Sequence, residues 1–315
     1  MDQTLLQTGF WIAVLGVGLG GTSFASRKAV VSALRVSETL KISPAIVGLT
    51  VMSIGTDLPE IANSLVSTAS GHGDVNVGDS IGSALTQVTL TLGILCLASH
   101  EISTNRNFVL AVGTTTIFAV IMVRVLVGDG ELDRFDGMLL ILMWVVGTAL
   151  LGQGELRPRE VFTSGHGRAG ADAGRALGWL AAVGVFAVLV VESFLQVAEL
   201  FGIPEFIGSF IVLSIGTSLP ELFVDWKAIQ QGASSMAIGD IFGSSFVDAT
   251  LSIGIGPAVF SSMVSPDVQL GIMVAAVGVA LATIVVVRSK RFDYRLGLAL
   301  FAIYAASQTV VAVFR

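Results

Sequence analysis

The chain has 315 residues, of which 53% are hydrophobic and 13% are charged, and its mean hydropathy is +0.85. These values exclude a soluble domain of this size and predict an integral membrane protein whose main surroundings are the lipid bilayer. The formal net charge of −6 identifies no partner, because charges have to be counted separately on each side of a membrane. We therefore expect no nucleic acid and no obligate protein partner.

Ten apolar segments are long enough to cross the bilayer, which takes roughly 20 residues. A polar stretch separates the fifth segment from the sixth, and we expect it to be a short cytoplasmic linker over 154–175. The sequence thus predicts an all-α membrane fold of ten helices, with five in residues 1–153 and five in 176–315. The predicted spans are 8–34, 42–70, 76–99, 105–127, 136–153, 176–200, 203–230, 236–260, 267–287 and 293–313.

Basic residues predict the orientation of these spans. If the amino terminus is outside, fourteen of the 17 Lys and Arg residues fall at cytoplasmic ends and loops. The three others, which would be outside, are Arg124, Arg134 and Arg315. Cytoplasmic loops of membrane proteins are enriched in Lys and Arg, so this bias predicts a multi-pass plasma-membrane protein with both termini extracellular.

One stretch of eight residues occurs twice within the apolar segments. Residues 53–60 read SIGTDLPE and residues 214–221 read SIGTSLPE, so the two copies differ only at Asp57 and Ser218. The same offset of 161 residues relates Gly78-Asp79 to Gly239-Asp240 without a gap. Since each half has an odd number of spans, the second half enters the membrane from the opposite face. Such inverted repeats are typical of secondary transporters, whose sites lie where broken helices meet near the midplane.

Each copy of the repeated stretch should interrupt its helix, because Pro has no N–H group and disfavours helical geometry at the preceding residue. One interpretation is purely structural, since Asp57 or Ser218 followed by Glu three positions later matches a capping box. The other interpretation is functional. The carbonyl groups of Thr56 and Thr217 and the carboxylates of Glu60 and Glu221 would then face a cavity, where they match the oxygen ligands that calcium prefers.

Further polar residues follow in the next span of each half. Asp79 and Asp240 are expected to cap the start of that span, with direct ligation of an ion as the alternative. Ser83 and Ser244 either contribute hydroxyl oxygens to the site or bond to backbone. Gln87 and Asp248 occupy one repeat position, and a carboxylate this deep in a span indicates a cavity or a partner. Asp57 either caps its helix or adds a fourth carboxylate. Asp225 and Glu192 are weaker candidates. The scattered His72, His100 and His166 suggest no zinc or copper site.

The two repeats resemble those of the prokaryotic-type sodium/calcium exchanger family, within the cation/calcium antiporter superfamily. The resemblance rests on Gly55–Glu60, Gly216–Glu221, Gly82-Ser83 and Gly243-Ser244. It implies that Glu60 and Glu221 bind calcium together with the carbonyl groups of Thr56 and Thr217. It also implies that sodium sites are lined by Ser53, Ser83, Ser214, Ser218, Ser244 and Asp248.

Two residues depart from the family pattern. Asp57 stands where the family usually has Ser, and Gln87 stands where it usually has Asn. Both lie in the first repeat, so the charge and reach of the ligands should differ there. A proton, as in the related calcium/proton exchangers, then becomes an alternative to sodium as the coupling ion. The short 154–175 linker leaves no room for the cytosolic regulatory domain of animal relatives.

The sequence therefore predicts an antiporter that exchanges calcium for sodium by alternating access, without a cofactor and without enzymatic activity. One alternative is a proton-coupled exchanger of calcium or another divalent cation. A second is an intramembrane protease with paired carboxylates, although its characteristic Tyr-Asp and Gly-x-Gly-Asp motifs are missing. A third is an ion channel, which would need no counter-ion.

Overall fold

The computed structural model describes residues 3–39, 53–98, 106–153, 169–230, 234–289 and 291–314. Helices dominate these residues, as expected for backbone that has to satisfy its own hydrogen bonds inside a bilayer. In the first half the helices are α1 Gln3–Thr39, α2 Ser53–Thr56, α3 Leu58–Ala69, α4 Gly73–Thr86, α5 Leu92–Ala98, α6 Arg106–Leu126 and α7 Arg134–Gln153.

The second half begins with a long helix that extends further towards the linker than the sequence predicts. This helix, α8, starts at Ala169 instead of residue 176. The helices of this half are α8 Ala169–Phe201, α9 Glu205–Gly208, α10 Ser214–Thr217, α11 Leu219–Gln230, α12 Ser234–Val247, α13 Ile253–Val259, α14 Asp267–Arg288 and α15 Tyr294–Val313.

The site-bearing helices of the two halves match element by element at the 161-residue offset. The pair α2 and α3 corresponds to α10 and α11, and the pair α4 and α5 corresponds to α12 and α13. Even a π-helical turn recurs, at Gln87–Thr91 between α4 and α5 and at Asp248–Ser252 between α12 and α13. The local folding of the chain therefore repeats together with its sequence.

Nine helices among the described residues are long and apolar enough to cross a membrane, which confirms the predicted all-α membrane fold. The predicted second span covers 42–70, and its first part, residues 42–52, lies outside the described residues. Two spans form the centre of the protein: 83% of Gly73–Leu97 and 89% of Ala237–Val259 is buried within the protein, against 17% of Arg134–Leu151. The elements that follow the helix interruptions therefore make up the core.

The long helices α1 and α8 pack along one another at positions where α1 has glycine. A Cβ atom at Gly18 would lie 2.9 Å from Val190 of α8, and one at Gly21 would overlap the ring of Phe186. Leu19, between these glycines, contacts Gly216 of α10. Small residues allow membrane helices to approach closely, so α1 reaches both its partner helix and the interrupted helix of the second half.

A two-residue strand pair joins two loops on one face of the protein. Strand β1, Glu131–Leu132, pairs antiparallel with β2, Ser262–Met263. On the same face, Nδ1 of His72 lies 3.0 Å from the Glu205 carboxylate, which links the turn before α4 to the start of α9. These contacts tie the two halves together at the face that the basic residues predict to be extracellular.

Candidate ion-binding site

The predicted helix interruptions are present, and each is one residue wide. Asp57 separates α2 from α3 and Ser218 separates α10 from α11. The backbone N–H of Asp57 still donates to the Ser53 carbonyl at 3.0 Å, and that of Ser218 donates to the Ser214 carbonyl at 3.2 Å. The chain therefore kinks at these positions and does not unwind over several residues. The direction of the Thr56 and Thr217 carbonyl groups stays a prediction.

The side chains at the two interruptions do not form the capping box. Asp57 occupies the N-cap position of α3, but its carboxylate makes no capping hydrogen bond. The hydroxyl group of Ser218 has no hydrogen-bond partner among the described residues. Both side chains are buried, Asp57 at 0% exposure and Ser218 at 2%. The capping interpretation of these two residues is therefore wrong.

Three carboxylates form the carboxylate cluster, which consists of Asp57, Glu60 and Asp248. One oxygen from each lies within 4.8 Å of the others, and all three side chains are fully buried. Both oxygens of Asp57 and of Glu60 lack a hydrogen bond of normal geometry among the described residues. Like charges this close in a buried position repel strongly, so the cluster requires bound cations or protons. Oxygen ligands of this kind suit hard cations such as calcium.

Glu221 lies next to the carboxylate cluster. It is 1% exposed and interacts electrostatically with Glu60 and Asp248, and neither of its oxygens has a hydrogen bond of normal geometry among the described residues. The ion pair that the structure shows for an acidic side chain, that of His72 with Glu205, lies at the surface and away from this site. No Lys or Arg whose side chain is described forms an ion pair with these four carboxylates, so bound cations or protons have to compensate their charge.

Two of the three π-helical turns among the described residues begin at the residues that share one repeat position, Gln87 and Asp248, and the third is Ser209–Leu213. The Gln87 amide Nε2 donates a hydrogen bond of 3.1 Å to Asp248 Oδ2, and both side chains are fully buried. A π turn inserts an extra residue and re-aims the side chains beside it, which is a common feature of functional sites. Sequence reasoning found both residues but missed the π turns, for which the sequence has no separate signal.

Hydroxyl groups connect the two halves in matching pairs. Thr56 Oγ1 lies 3.3 Å from Ser244 Oγ, and Ser83 Oγ lies 3.3 Å from Thr217 Oγ1. Each pair becomes the other when the two repeats are exchanged. Ser83 and Thr217 also lie beside the Glu60 carboxylate, and Ser244 lies beside Asp57. The structure thus places three of these hydroxyl groups, those of Ser83, Thr217 and Ser244, next to the carboxylates.

The two serines that start the interrupted helices are buried but are engaged elsewhere. Ser53 Oγ donates to Asp240 Oδ1 at 3.3 Å. Ser214 Oγ donates to the Phe210 carbonyl of its own helical segment at 2.6 Å, while its carbonyl accepts a hydrogen bond from Ser83 at 3.4 Å. As ligands, Ser53 and Ser214 are therefore less directly placed than the hydroxyl groups in the two matching pairs.

Asp79 and Asp240 are not helix caps, so that expectation is wrong. Helix α4 begins at Gly73 and α12 at Ser234, which places both carboxylates inside helices. They are 1% and 4% exposed. Asp79 accepts hydrogen bonds from Thr217 Oγ1 at 2.9 Å and from Asn63 Nδ2 at 3.0 Å. The sequence predicts helix starts that are two to three residues too late, which favoured capping over ligation for these two buried carboxylates.

The weaker candidates separate clearly. Asp225 is fully buried and contacts Asp240, whereas Glu192 is exposed on α8. His72 lies on a surface turn, and His100 and His166 lie outside the described residues. Together, the described residues bring nearly every predicted polar residue of the two repeats into one buried region, with Ser214 turned away and Glu192 outside it.

Comparison with known proteins agrees with this arrangement. Residues 10–152 and 174–313 match the family model described as sodium/calcium exchanger protein. Inner membrane protein YrbG of Escherichia coli is 28% identical over 81% of this chain and 81% of its own length. Sodium/calcium exchanger MaX1 of Methanosarcina acetivorans is 24% identical over 71% of this chain and 76% of its own.

The fold also matches a solved structure. The sodium-calcium exchanger NCX_Mj, soaked with 2.5 mM Na+ and 10 mM Sr2+, superimposes with a TM-score of 0.66 at 21% identity. The match covers 98% of this chain and 100% of that structure. At this identity the likeness concerns the fold, and the family match extends over both halves of the chain, including both repeated stretches. The chain belongs to the sodium/calcium exchanger protein family.

Proposed function

We propose that this chain is a secondary antiporter that exchanges calcium for sodium across a membrane, and is not an enzyme. The observation that carries the proposal is the carboxylate cluster, because its members come from both halves of the chain and lie at or beside interrupted helices. Membership of the exchanger family supports the same activity. Calcium and sodium would be the transported substrates, and no cofactor is needed.

The site supports coupled exchange through its charge. Asp57, Glu60, Glu221 and Asp248 are all buried, and moving unneutralised carboxylates through the low-dielectric centre of a membrane is strongly unfavourable. Occupation by either calcium or sodium lowers that barrier. Because the empty site crosses slowly, one ion type moves inward only as the other moves outward, which is obligatory exchange.

Alternating access requires a part that moves relative to the site. Helices α1 and α8 suit this role because they pack mainly on one another, and only 17% of the apolar span of α1 is buried. Leu19 of α1 contacts Gly216 in α10, directly at the second interruption. We infer that sliding of α1 and α8 along the core opens the site first to one face and then to the other.

The remaining features of the proposal concern placement in the cell. We infer two inverted five-helix repeats, 1–153 and 176–315, joined by a short cytoplasmic linker at 154–175. The bias of basic residues supports a plasma membrane location with both termini extracellular. No obligate protein partner is required, since both halves of the site come from one chain.

A proton-coupled exchanger of calcium or another divalent cation is the second candidate. It is favoured by Asp57, which adds an acidic group to the carboxylate cluster, since closely spaced carboxylates bind protons readily. Both candidates predict calcium uptake, and they differ in the gradient that drives it.

The deciding experiment is uptake of radioactive calcium by proteoliposomes in which sodium and proton gradients are imposed separately. Under the sodium proposal, an outward sodium gradient drives uptake at equal pH on both sides. Uptake that follows the pH gradient and ignores sodium would establish the proton-coupled alternative. Flux that needs no counter-ion would reject exchange altogether.

A further inference from the structure

A second group of buried carboxylates lies beside the carboxylate cluster. Asp225 of α11 and Asp240 of α12 contact each other and are 0% and 4% exposed. Both oxygens of Asp225 and Oδ2 of Asp240 have no hydrogen-bond donor among the described residues. Two ionised carboxylates cannot hydrogen-bond one another, so the contact requires either a proton shared between the two groups or a bound cation.

The first repeat shows how this position is built when no extra charge is needed. Asp79, the counterpart of Asp240, accepts a hydrogen bond from the Asn63 amide at 3.0 Å. Ser64, at the repeat position of Asp225, accepts a hydrogen bond from the Gly256 N–H at 3.1 Å. The first half thus satisfies its carboxylate with a neutral donor, whereas the second half places a further carboxylate against it.

Among the described side chains, those that interact with the Asp225 and Asp240 pair carry negative charge or a hydroxyl group. Asp57 and Glu221 interact electrostatically with Asp240. Ser53 Oγ donates to Asp240 Oδ1 at 3.3 Å, and that oxygen is the one member of the pair with a donor. No ion pair between either carboxylate and a Lys or Arg is present among the residues whose side chains the structure describes.

The pair lies to one side of the carboxylate cluster. Asp225 lies about two helical turns beyond the interruption at Ser218, and Asp240 lies about two turns into α12. Helix α11 ends and α12 begins on either side of residues 231–233, at the face that the basic residues predict to be cytoplasmic. An ion moving between that face and the cluster would meet this pair before it reached the cluster.

We propose that Asp225 and Asp240 form an additional binding site for one small, hard metal cation, either sodium or calcium. Two carboxylates and the Ser53 hydroxyl group offer five side-chain oxygens, and water can complete the shell of six to eight oxygens that calcium takes. This site lies on the cytoplasmic side of the transport site. The inference depends on the proposed function only in assuming that the chain transports cations.

Equilibrium dialysis of the purified full-length protein in detergent tests this site without requiring transport. Radioactive calcium and radioactive sodium are measured separately, in a choline buffer at fixed pH. Asp225→Asn introduces the amide that Asn63 supplies in the first repeat, and Asp225→Ser introduces the hydroxyl group of Ser64. Each variant should bind one cation fewer per chain than wild type, and the ion that is lost identifies the ligand. Glu192→Gln, an exposed change of the same chemistry, should bind as wild type does.

A complementary measurement uses Glu60→Gln, which removes one member of the carboxylate cluster and leaves the Asp225 and Asp240 pair intact. This variant should lose calcium binding at the cluster but retain one bound sodium or calcium ion per chain. Absence of any bound cation in Glu60→Gln would overturn the additional site even if the Asp225 variants failed to fold. So would unchanged stoichiometry for both ions in folded Asp225 variants, which would mean that the pair shares a proton. Failure of the wild type to bind calcium at the cluster would instead refute the proposed function.

Discussion

Replacing Glu60 by Gln is the sharpest test of the carboxylate cluster. The substitution preserves the shape of the side chain and removes one negative charge from a group whose oxygens lie within 4.8 Å of one another. Glu60 is fully buried, and the Ser83 and Thr217 hydroxyl groups beside its carboxylate can also donate to the amide oxygen of Gln. The change therefore acts on the ion and leaves the packing of the fold unaltered.

The size of the effect follows from electrostatics. At about 4 Å and an effective dielectric constant of about 20, one unit charge attracts a divalent ion with about 8 kcal/mol before desolvation is counted. Desolvation offsets part of this, and removing one partner of a buried ion pair typically costs about 3–5 kcal/mol. At about 1.4 kcal/mol for each factor of ten, we expect calcium affinity to fall by roughly two to four orders of magnitude.

The assay combines calcium uptake by sodium-loaded proteoliposomes with thermal unfolding of the purified protein. Wild type should take up calcium, and calcium at about 100 times its dissociation constant should stabilise it by about 2.7 kcal/mol. Glu60→Gln should show neither effect, yet its Tm without calcium should match or exceed that of wild type because repulsion is reduced. Wild-type uptake and wild-type stabilisation by calcium in this variant would refute the assignment of the cluster.

Three further substitutions test separate parts of the proposal. Asp57→Ser removes one charge from the cluster, so the charge moved per cycle, measured as the reversal potential of exchange in proteoliposomes, should change; an unchanged value would leave Asp57 without a role in coupling. Gln87→Leu deletes the donor that binds Asp248 at 3.1 Å, and since a hydrogen bond to a charged group contributes about 1.5–3 kcal/mol, cation affinity by equilibrium dialysis should shift roughly ten- to a hundredfold. Gly21→Val would drive a side chain into Phe186, so turnover should fall while calcium affinity in the same dialysis stays constant; equal turnover would argue against sliding of α1 along α8.

Much of the fold and site was predictable because the repeated stretch carries chemistry that a membrane penalises. Gly, Pro and Glu inside an apolar segment are each unfavourable, so their recurrence at one offset identified the interruptions and the acidic residues. The same offset correctly paired Gln87 with Asp248, which meet in the structure at 3.1 Å.

Other parts were not predictable, for physical reasons. Helix starts within continuous apolar sequence have no polar boundary, so α4 and α12 begin earlier than the sequence suggests, and Asp79 and Asp240 were misread as caps. The capping box at Asp57 matched in sequence but not in structure, because a pattern of residue types does not fix where a carboxylate points. The direction of a side chain depends on how the two halves pack, and the spacing of residues along the sequence does not determine that packing.

The two halves differ in the number of carboxylates at equivalent repeat positions, which makes the charge of the site asymmetric. Exchanging the repeats would convert Asp57, Glu60 and Asp248 into Ser218, Glu221 and Gln87, so the cluster with three charges has a counterpart with one. The electrostatic attraction to three carboxylates is larger than the attraction to one, and the difference is greater for a divalent ion than for a monovalent ion. Two nearly identical repeats therefore give one buried region an uneven distribution of charge, with three carboxylates in the cluster and Glu221 beside it. The repeats differ in charge at two positions, where Asp57 corresponds to Ser218 and Asp248 corresponds to Gln87. Both acidic residues lie in the same cluster, so the two differences add to the negative charge at one place.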